Sequence, residues 1–446
     1  MDNKTIYALS TVFGKSGVAV IRISGAEAFA VFDKMTELSS ANIKPRQMYF
    51  CGIFDSVSRE TLDNCMLVGF KAPHSFTGED TVEINCHGSK AVIRSILEAL
   101  SALPDFRTAE AGEFSRRAFY NGKMDLTEAD GLADLIEAET KIQQKTALRQ
   151  MGGSLLNLYE TWRGELVDLL AYIEAYIDFP DEEIPQDTVF KIENSVFKLV
   201  KNIKSHLSVN KIEERLRDGF QVVISGPTNA GKSSLINAIA KRNVAIVSDI
   251  AGTTRDVIET YIDLKGYPVV FSDTAGLRES NDEIEKIGIT LAREKIAAAD
   301  YNIFLFDAEN TEPDIFDEYI TSSADYMLVA NKADKISAER KKELSEKGCM
   351  LISAKNNENI VAITDYLARH FESLYEQGAV QLMTRHRYKE ALLECLQNLE
   401  RFNLQKEIEL SAEDIRLACR AIGKITGRVE VDDILDKIFS NFCIGK

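Results

Sequence analysis

The stretch Gly226-Pro227-Thr228-Asn229-Ala230-Gly231-Lys232-Ser233 has the spacing GxxxxGK[ST], and it limits the possible folds more tightly than any other part of the chain. An apolar run, Gln221-Val222-Val223-Ile224-Ser225, precedes it and a helix-like run follows. A strand, a glycine-rich turn and a helix in that order let backbone N–H groups wrap phosphate oxygens at the helix N-terminus. Lys232 adds a point charge, and the Ser233 hydroxyl can reach a magnesium ion. The segment therefore predicts an α/β unit and a nucleoside triphosphate as its ligand.

Further segments select the base. Asn331-Lys332-Ala333-Asp334 follows the apolar run Tyr326-Met327-Leu328-Val329-Ala330. An aspartate at a strand's carboxyl end accepts both N1–H and N2–H of guanine, and adenine has no matching donor pair. Downstream, Cys349-Met350-Leu351-Ile352 leads into Ser353-Ala354-Lys355, where a backbone N–H can bond guanine O6. Between the phosphate loop and Asn331, Val269-Val270-Phe271-Ser272 ends in Asp273-Thr274-Ala275-Gly276, whose aspartate suits magnesium through water and whose glycine can donate to a γ-phosphate. Any one of these is also what an ordinary polar strand-to-loop turn looks like. Four in order within one segment read as a GTPase.

The catalytic logic departs from the common pattern. Familiar GTPases place a water-orienting glutamine after this aspartate-to-glycine turn, whereas here the residue is Leu277. The polar candidates nearby are Arg278, Glu279, Asp282, Glu283 and Glu285, in a run whose acids would equally serve a solvated loop. Upstream, Ala251-Gly252-Thr253-Thr254-Arg255-Asp256 supplies Thr254, 21 residues after Ser233, as a second magnesium ligand. Asn229 brings an oxygen that can ligate a monovalent cation, although asparagine is also an ordinary occupant of this loop position.

With 446 residues the prior is about three domains. No apolar run approaches the roughly 20 residues of a membrane span. Met1-Asp2-Asn3-Lys4 does not resemble a secretory signal, and the seven cysteines lack CxxC spacing, so a cytoplasmic protein without a zinc or disulfide framework is expected. The net charge of −17 argues against a chain that coats nucleic acid by itself. If the substrate is a nucleic acid, a partner chain supplies much of the grip.

Short alternating runs such as Val18–Ile23 and Cys65–Phe70 predict an α+β region over 1–118. From Asp125 the period becomes helical, with Leu166, Leu169, Leu170, Ile173 and Ile177 on one face. That helix should stop near Phe179-Pro180, and a second helical run should cover Val189 to Leu216. Helical period returns in Ile415, Ala418, Cys419 and Ile422, then in Val431, Ile434, Leu435, Ile438 and Phe439. Such stripes need partners. We therefore expect a discontinuous all-α domain (119–216 and 373–446) interrupted by an inserted G domain (217–372).

The segments Asn229–Ser234, Ala251–Asp256, Asp273–Arg278 and Asn331–Asp334 together resemble the potassium-dependent branch of the translation-associated GTPases. Asp178-Phe179-Pro180-Asp181-Glu182-Glu183 and the terminal Cys443-Ile444-Gly445-Lys446 narrow this to a resemblance to the MnmE (TrmE) family of tRNA modification GTPases. Val20–Gly25, Ser75–Asp80 and Gly112–Phe119 agree, so the resemblance spans essentially the whole chain.

That resemblance implies a GTP site on Asn229, Ala230, Gly231, Lys232, Ser233 and Ser234, and on Ser248, Asp249, Ile250, Ala251, Gly252, Thr253 and Thr254. It continues on Asp273, Thr274, Ala275 and Gly276, then on Asn331, Lys332, Ala333, Asp334, Ser353, Ala354 and Lys355. Mg²⁺ falls to Ser233 and Thr254, and K⁺ to Asn229, Ser248, Ile250 and Thr253. Potassium then takes the place of an arginine finger, with Lys232 and the water-positioning Glu285 as catalytic residues. Two G domains are implied to meet across the nucleotide, and hydrolysis to move the helical domains.

The amino-terminal region resembles the tetrahydrofolate-binding fold, which implies constitutive homodimerisation and a folate site on Arg22, Glu83, Lys123 and Lys446. From its run alone Arg22 reads as a snorkelling strand residue. The implied activity uses 5-formyl- or methylene-tetrahydrofolate and an FAD-containing partner of MnmG (GidA) type in a heterotetramer. Together they install an aminomethyl-type group, such as carboxymethylaminomethyl, at C5 of the wobble uridine of certain tRNAs. Cys443 reads either as a thiol near that uridine or as an inert terminal cysteine. Two alternatives remain, a ribosome-assembly GTPase and a regulatory switch whose folate-like domain is only a dimer platform. The first should carry a basic appendage, and stoichiometric folate retention separates the second from a modification enzyme.

Overall fold

The computed structural model describes residues 4–178, 186–208, 215–242, 259–273, 293–320, 325–378, 385–404, 407–429, 442 and 445. Phe179 and Pro180, expected to end the long helix, lie outside them, as do Val431 to Phe439. The chain forms two compact units: Met1–Ala133 with Leu156–Ala171 and Ile415–Lys446, and Asp134–Leu155 with Tyr172–Asp414.

The first unit is built on a six-stranded sheet of order β3-β4-β5-β2-β1-β6. Its strands are β1 (Thr5–Leu9), β2 (Ser16–Ser24), β3 (Met48–Phe54), β4 (Thr61–Phe70), β5 (Thr81–Gly88) and β6 (Phe106–Thr108). All neighbours run antiparallel except β1 and β6. Because successive side chains alternate between faces, Ile21, Ile23, Val82 and Ile84 enter one core with Phe29, Phe32 and Leu67. The helix Lys90–Ser101 covers that face with Ile93, Ile96 and Leu100 at helical spacing, and Ser89 caps it by accepting from the Val92 N–H. Burying each such side chain is worth roughly 1.5–3 kcal/mol. Arg22, between two inward isoleucines, takes the opposite face, where Ile6, Ala8, Phe76 and Phe114 form a smaller cluster.

In the helix Ser154–Asp178 the expected stripe is buried at Leu166, Leu169 and Ile173 and half-buried at Leu170 and Ile177. In the helix Ile408–Thr426, Ile415, Ala418 and Ile422 are buried and Cys419 is half-buried. Of the tail, Phe442 packs with Leu126 and Ala129. Gly445 has a φ of 103°, and a Cβ there would run into the Leu9 carbonyl, so only glycine fits this close approach.

The second unit contains a six-stranded sheet of order β12-β11-β10-β7-β9-β8. These are β7 (Phe220–Ser225), β8 (Glu259–Leu264), β9 (Tyr267–Asp273), β10 (Tyr301–Asp307), β11 (Tyr326–Asn331) and β12 (Met350–Leu351). Only β8 runs antiparallel to its neighbour. Helices and loops cover both faces, which is why β7, β9 and β10 read as continuous apolar runs rather than alternating ones. One face packs Leu235, Ile239, Ile363, Leu367 and Phe371 from the helices Lys232–Arg242 and Ile360–Gly378. The other packs Phe304, Phe306, Ile296, Phe316 and Leu344.

The helix Lys141–Met151 packs Ile142 against the core of this sheet. A capping box between Thr140 and Gln143 starts it, and Gln143 also donates to the Arg217 carbonyl and the Tyr261 hydroxyl. Over the expected run from Val189 to Leu216, one helix spans Gln186–Ser208 and the chain is helical again at 215–218.

Candidate functional site

β7 pairs with β9 on one side and β10 on the other, and the chain changes sides between β9 and β10, which opens a crevice at the carboxyl end of β7. Gly226 to Gly231 occupy that position and lead into the helix that begins at Lys232. A Cβ on Gly226 would strike the Leu305 carbonyl, and one on Gly231, at φ 99°, would strike the Asn331 carboxamide. Asn229 is itself left-handed, at φ 64°. The turn is thus drawn close to its neighbours, with the backbone amides of a helix N-terminus at its rim, a cradle that fits a phosphate chain. The buried Lys232 ammonium donates to the Gly226 and Pro227 carbonyls at 2.7 and 3.1 Å, so the cation is held against the loop.

The Ser233 hydroxyl donates to Asp273 Oδ2 at 3.3 Å. A hydroxyl on the phosphate side and a carboxylate at the end of β9 form the hard-oxygen set that Mg²⁺ takes, with water in its remaining positions. Of the other residues assigned to nucleotide and metal, Ser248 to Thr254 and Thr274 to Gly276 lie outside the described residues. So do Leu277 to Glu285, which include every water-positioning candidate, along with Cys443 and Lys446.

The base side is tied to the phosphate side by one residue. Asn331, 3% exposed at the end of β11, donates from Nδ2 to the Ala230 carbonyl at 2.8 Å. Its Oδ1 accepts from the Ala354 N–H at 3.0 Å. The Ala354 amide, one of those expected to be available for guanine O6, is therefore committed to Asn331. The Ala333 N–H donates to the Ile352 carbonyl and the Ile352 N–H to that of Ala330, each at 2.9 Å, so the two base loops are stitched together. Asp334 is exposed, and hydrogen bonding from Ser353 holds its carboxyl below the usual range, keeping an acceptor ready.

Asp307, which its sequence context did not single out, pairs with Lys332 at 2.8 Å. Burial pushes the Asp307 carboxyl up, but bonds from Lys332, the Glu309 N–H and Asn310 outweigh it and hold the group low. Lys332 stands at φ 64°, so the pair fixes a left-handed residue between Asn331 and Asp334. The acid at the end of β10 was the available signal, but one acid among loop acids says nothing without its partner.

In the first unit, Arg22 and Glu83 are direct cross-strand partners and pair at 3.0 Å. The guanidinium lies over the rings of Phe76 and Phe114, at 5.0 and 5.8 Å. Lys123 reaches the same loop, since a Cβ on Gly78 would meet Asn121 and the Lys123 Cγ. Gly445 enters at the other end, its carbonyl accepting from the Ser10 hydroxyl at 2.9 Å. Ala8, two residues before Ser10, is the strand partner of Arg22.

Beneath this cluster is a network that sequence reasoning did not assign. Arg117 is buried and binds Glu79 at 3.1 Å, Glu113 at 3.0 Å and the Lys4 carbonyl at 2.9 Å. Arg107 adds a second cation on Glu113 at 2.6 Å. Burial alone would raise the Glu113 carboxyl, but Arg107, the Glu110 N–H and Arg117 bring it below its ordinary value.

Two family models match the chain: the MnmE helical domain over residues 126–443, and the GTP-binding protein TrmE N-terminus over residues 5–123. The chain is 45% identical over 447 residues to a tRNA modification GTPase MnmE of Rickettsia bellii (strain RML369-C), covering 99% of this chain and 100% of that one. It is 46% identical, with the same coverage, to that of Parvibaculum lavamentivorans (strain DS-1 / DSM 13023 / NCIMB 13966). Over 42% of its length it also aligns with 68% of a solved Aquifex aeolicus Era bound to GDP and AlF₄⁻, at 23% identity and a TM-score of 0.28.

Proposed function

The chain belongs to the MnmE family of tRNA modification GTPases, and from that membership we propose that it hydrolyses GTP to drive C5 modification of the wobble uridine in certain tRNAs. The observation that carries the GTPase half is Asn331, which ties the phosphate loop to the base loop through Ala230 and Ala354. Glycine-loop amides and Lys232 hold the phosphates, and Asp334 accepts from the guanine edge. Ser233 would hold Mg²⁺ directly and Asp273 through water, and the ion when bound supplies charge neutralisation for phosphoryl transfer.

Asn229, Ser248, Ile250 and Thr253 would hold a potassium ion, which would supply the charge of an arginine finger; Thr254 would join Ser233 in holding magnesium, and Glu285 would align water. The modification half rests on the Arg22–Glu83 pair, with Lys123, which packs at Gly78 in the loop that carries Phe76, and Lys446 as its further ligands. A guanidinium, a carboxylate and two aromatic rings on one sheet face suit a folate, whose pterin carries donors and acceptors and whose tail carries carboxylates. The protein acts as a homodimer with an FAD-containing partner of MnmG type, in the cytoplasm. Among the described residues no helix is long and apolar enough to cross a membrane.

The test is nucleoside analysis of tRNA from cells lacking the protein. The C5 aminomethyl-type wobble uridines should disappear, return with the wild-type chain, and stay absent with Lys232→Ala. Unchanged wobble nucleosides in the deletion strain would overturn the modification reading. Full rescue by Lys232→Ala would detach it from GTP.

A further inference from the structure

The loop between β1 and β2 exposes large apolar side chains at its tip. Val12 and Phe13 in the loop are 90% and 45% exposed, Val18 at the start of β2 is 57% exposed, and a Cβ on Gly14 or on Gly17 of β2 would meet nothing. The base of the loop is nonetheless fixed. The Ser10 N–H donates to the Val20 carbonyl at 2.7 Å, the Val20 N–H to the Thr11 hydroxyl at 3.2 Å, and the Ser16 hydroxyl to the Val18 carbonyl at 2.8 Å. An apolar tip on an anchored base has a local cost in water that something else must offset.

Two cations flank it. Lys90 and Arg94, one turn apart on the helix Lys90–Ser101, lie over the Phe13 ring at 5.6 and 5.8 Å, and both are exposed. Lys15, also exposed, sits in the loop itself. We propose that Phe13, Lys90 and Arg94 form an RNA contact in which the ring stacks on an unpaired base and the two cations take the flanking phosphates. The proposal rests on the tRNA reading above and gives that substrate a place to dock.

Three observations favour RNA as the occupant. An aromatic ring bordered by guanidinium and ammonium groups is the chemistry by which proteins hold single-stranded nucleotides. A chain of net charge −17 can hold a polyanion only where its cations are gathered locally. Ser10, at the root of the loop, is hydrogen-bonded to Gly445, so a base on Phe13 belongs to an RNA segment beside the carboxyl-terminal tail. A stable protein interface buries about 800 Å² on each partner, more surface than these few side chains offer.

The experiment measures binding of the full-length protein to an unmodified tRNA transcript and to its isolated anticodon stem-loop, by fluorescence anisotropy across a salt series. Phe13→Ala should weaken both by about tenfold, and Phe13→Trp should restore them. The double change Lys90→Ala with Arg94→Ala should weaken binding by a similar factor. It should also make the slope of log affinity against log salt shallower by roughly 1.5, as loss of two phosphate contacts requires. GTP hydrolysis should be unaltered in all of them.

If the wild-type protein binds RNA and the variants bind equally well, this surface is refuted while the tRNA reading stands. If the wild-type protein binds neither RNA, this surface is refuted, and the tRNA reading is decided by the wobble-nucleoside analysis above. A changed oligomeric state in Phe13→Ala with RNA binding intact would mark the loop as a contact between copies of the chain, and would also refute the proposal.

Discussion

Replacing Asn331 with alanine strips the partner from two buried backbone groups at once, the Ala230 carbonyl in the phosphate loop and the Ala354 N–H in the base loop. A buried group left without its hydrogen bond costs about 1–3 kcal/mol, and a typical bond contributes about 1 kcal/mol net. Asn331 is 3% exposed, so water has little access to repair either loss. The two together should cost about 2–4 kcal/mol. Because the bonds hold both nucleotide loops in place, most of that should be expressed as lost affinity for GDP and GTP, about 10- to 300-fold. Titration of a fluorescent guanine nucleotide into the full-length protein measures it, and thermal unfolding without nucleotide measures what remains as stability. Asn331→Asp sharpens the test: it keeps an acceptor for Ala354 but sets a negative oxygen against the Ala230 carbonyl, so it should be at least as damaging. Alanine binding within threefold of wild type, or aspartate binding better than alanine, would refute the bridging role.

Asp334→Asn should weaken guanine nucleotides and favour xanthine ones, since an amide donates where the carboxylate accepted; competition between GDP and XDP reads the preference. GTP turnover should be much faster in KCl than in NaCl, and equal steady-state rates in the two salts would remove the cation from the mechanism. Glu285→Ala should lower kcat with little change in nucleotide affinity, because a residue that aligns water acts mainly in the transition state; a split in the opposite sense would reassign it. His206 is buried, and desolvation lowers its pKa to about 4 from an ordinary 6.5, so the unfolded chain takes up a proton that the fold excludes. Its contribution to stability is intact above pH 6.5 and lost as pH falls towards 4, by up to roughly 3 kcal/mol, and denaturant titrations of His206→Gln should show a flatter decline over that window.

The phosphate loop was legible because its demands are local. The apolar strand, the glycines that permit close approach and the helix start all lie within one short segment, and each residue type answers to phosphate chemistry. The helical stripe of Leu166, Leu169 and Ile173 was legible for a similar reason, since period alone sets the face. Asn331 was legible as part of a guanine motif, but its two bonds were not, because Ala230 and Ala354 approach it only after the sheet assembles. The helix Lys141–Met151 starts at a capping box that is local in sequence, yet nothing in that box announces that Ile142 packs on the nucleotide-binding sheet. Local rules locate an element, and its partners are decided by topology.

Arg22 shows the same limit in the proposed folate site. Alternation in β2 says that Arg22 leaves the core face, and by itself this is no more than a strand arginine reaching for water. Its direction is set by Phe76, Phe114 and Glu83, and the loop carrying Phe76 is held by residues remote in sequence. Arg117 binds Glu79 in that loop, Asn121 donates to the Thr77 carbonyl at 2.7 Å, and Ser24 donates to Glu79 at 2.7 Å. Taking Arg117 and Glu113 out of water costs several kcal/mol per ion, and well-packed apolar residues in their place would often serve stability as well or better. Stability alone is therefore a weak reason for a buried cation shared between two carboxylates. Orientation is a better one, because the network spans the loop, the helix Glu113–Tyr120 and the Lys4 carbonyl, and so fixes the aromatic wall against which the Arg22 guanidinium lies.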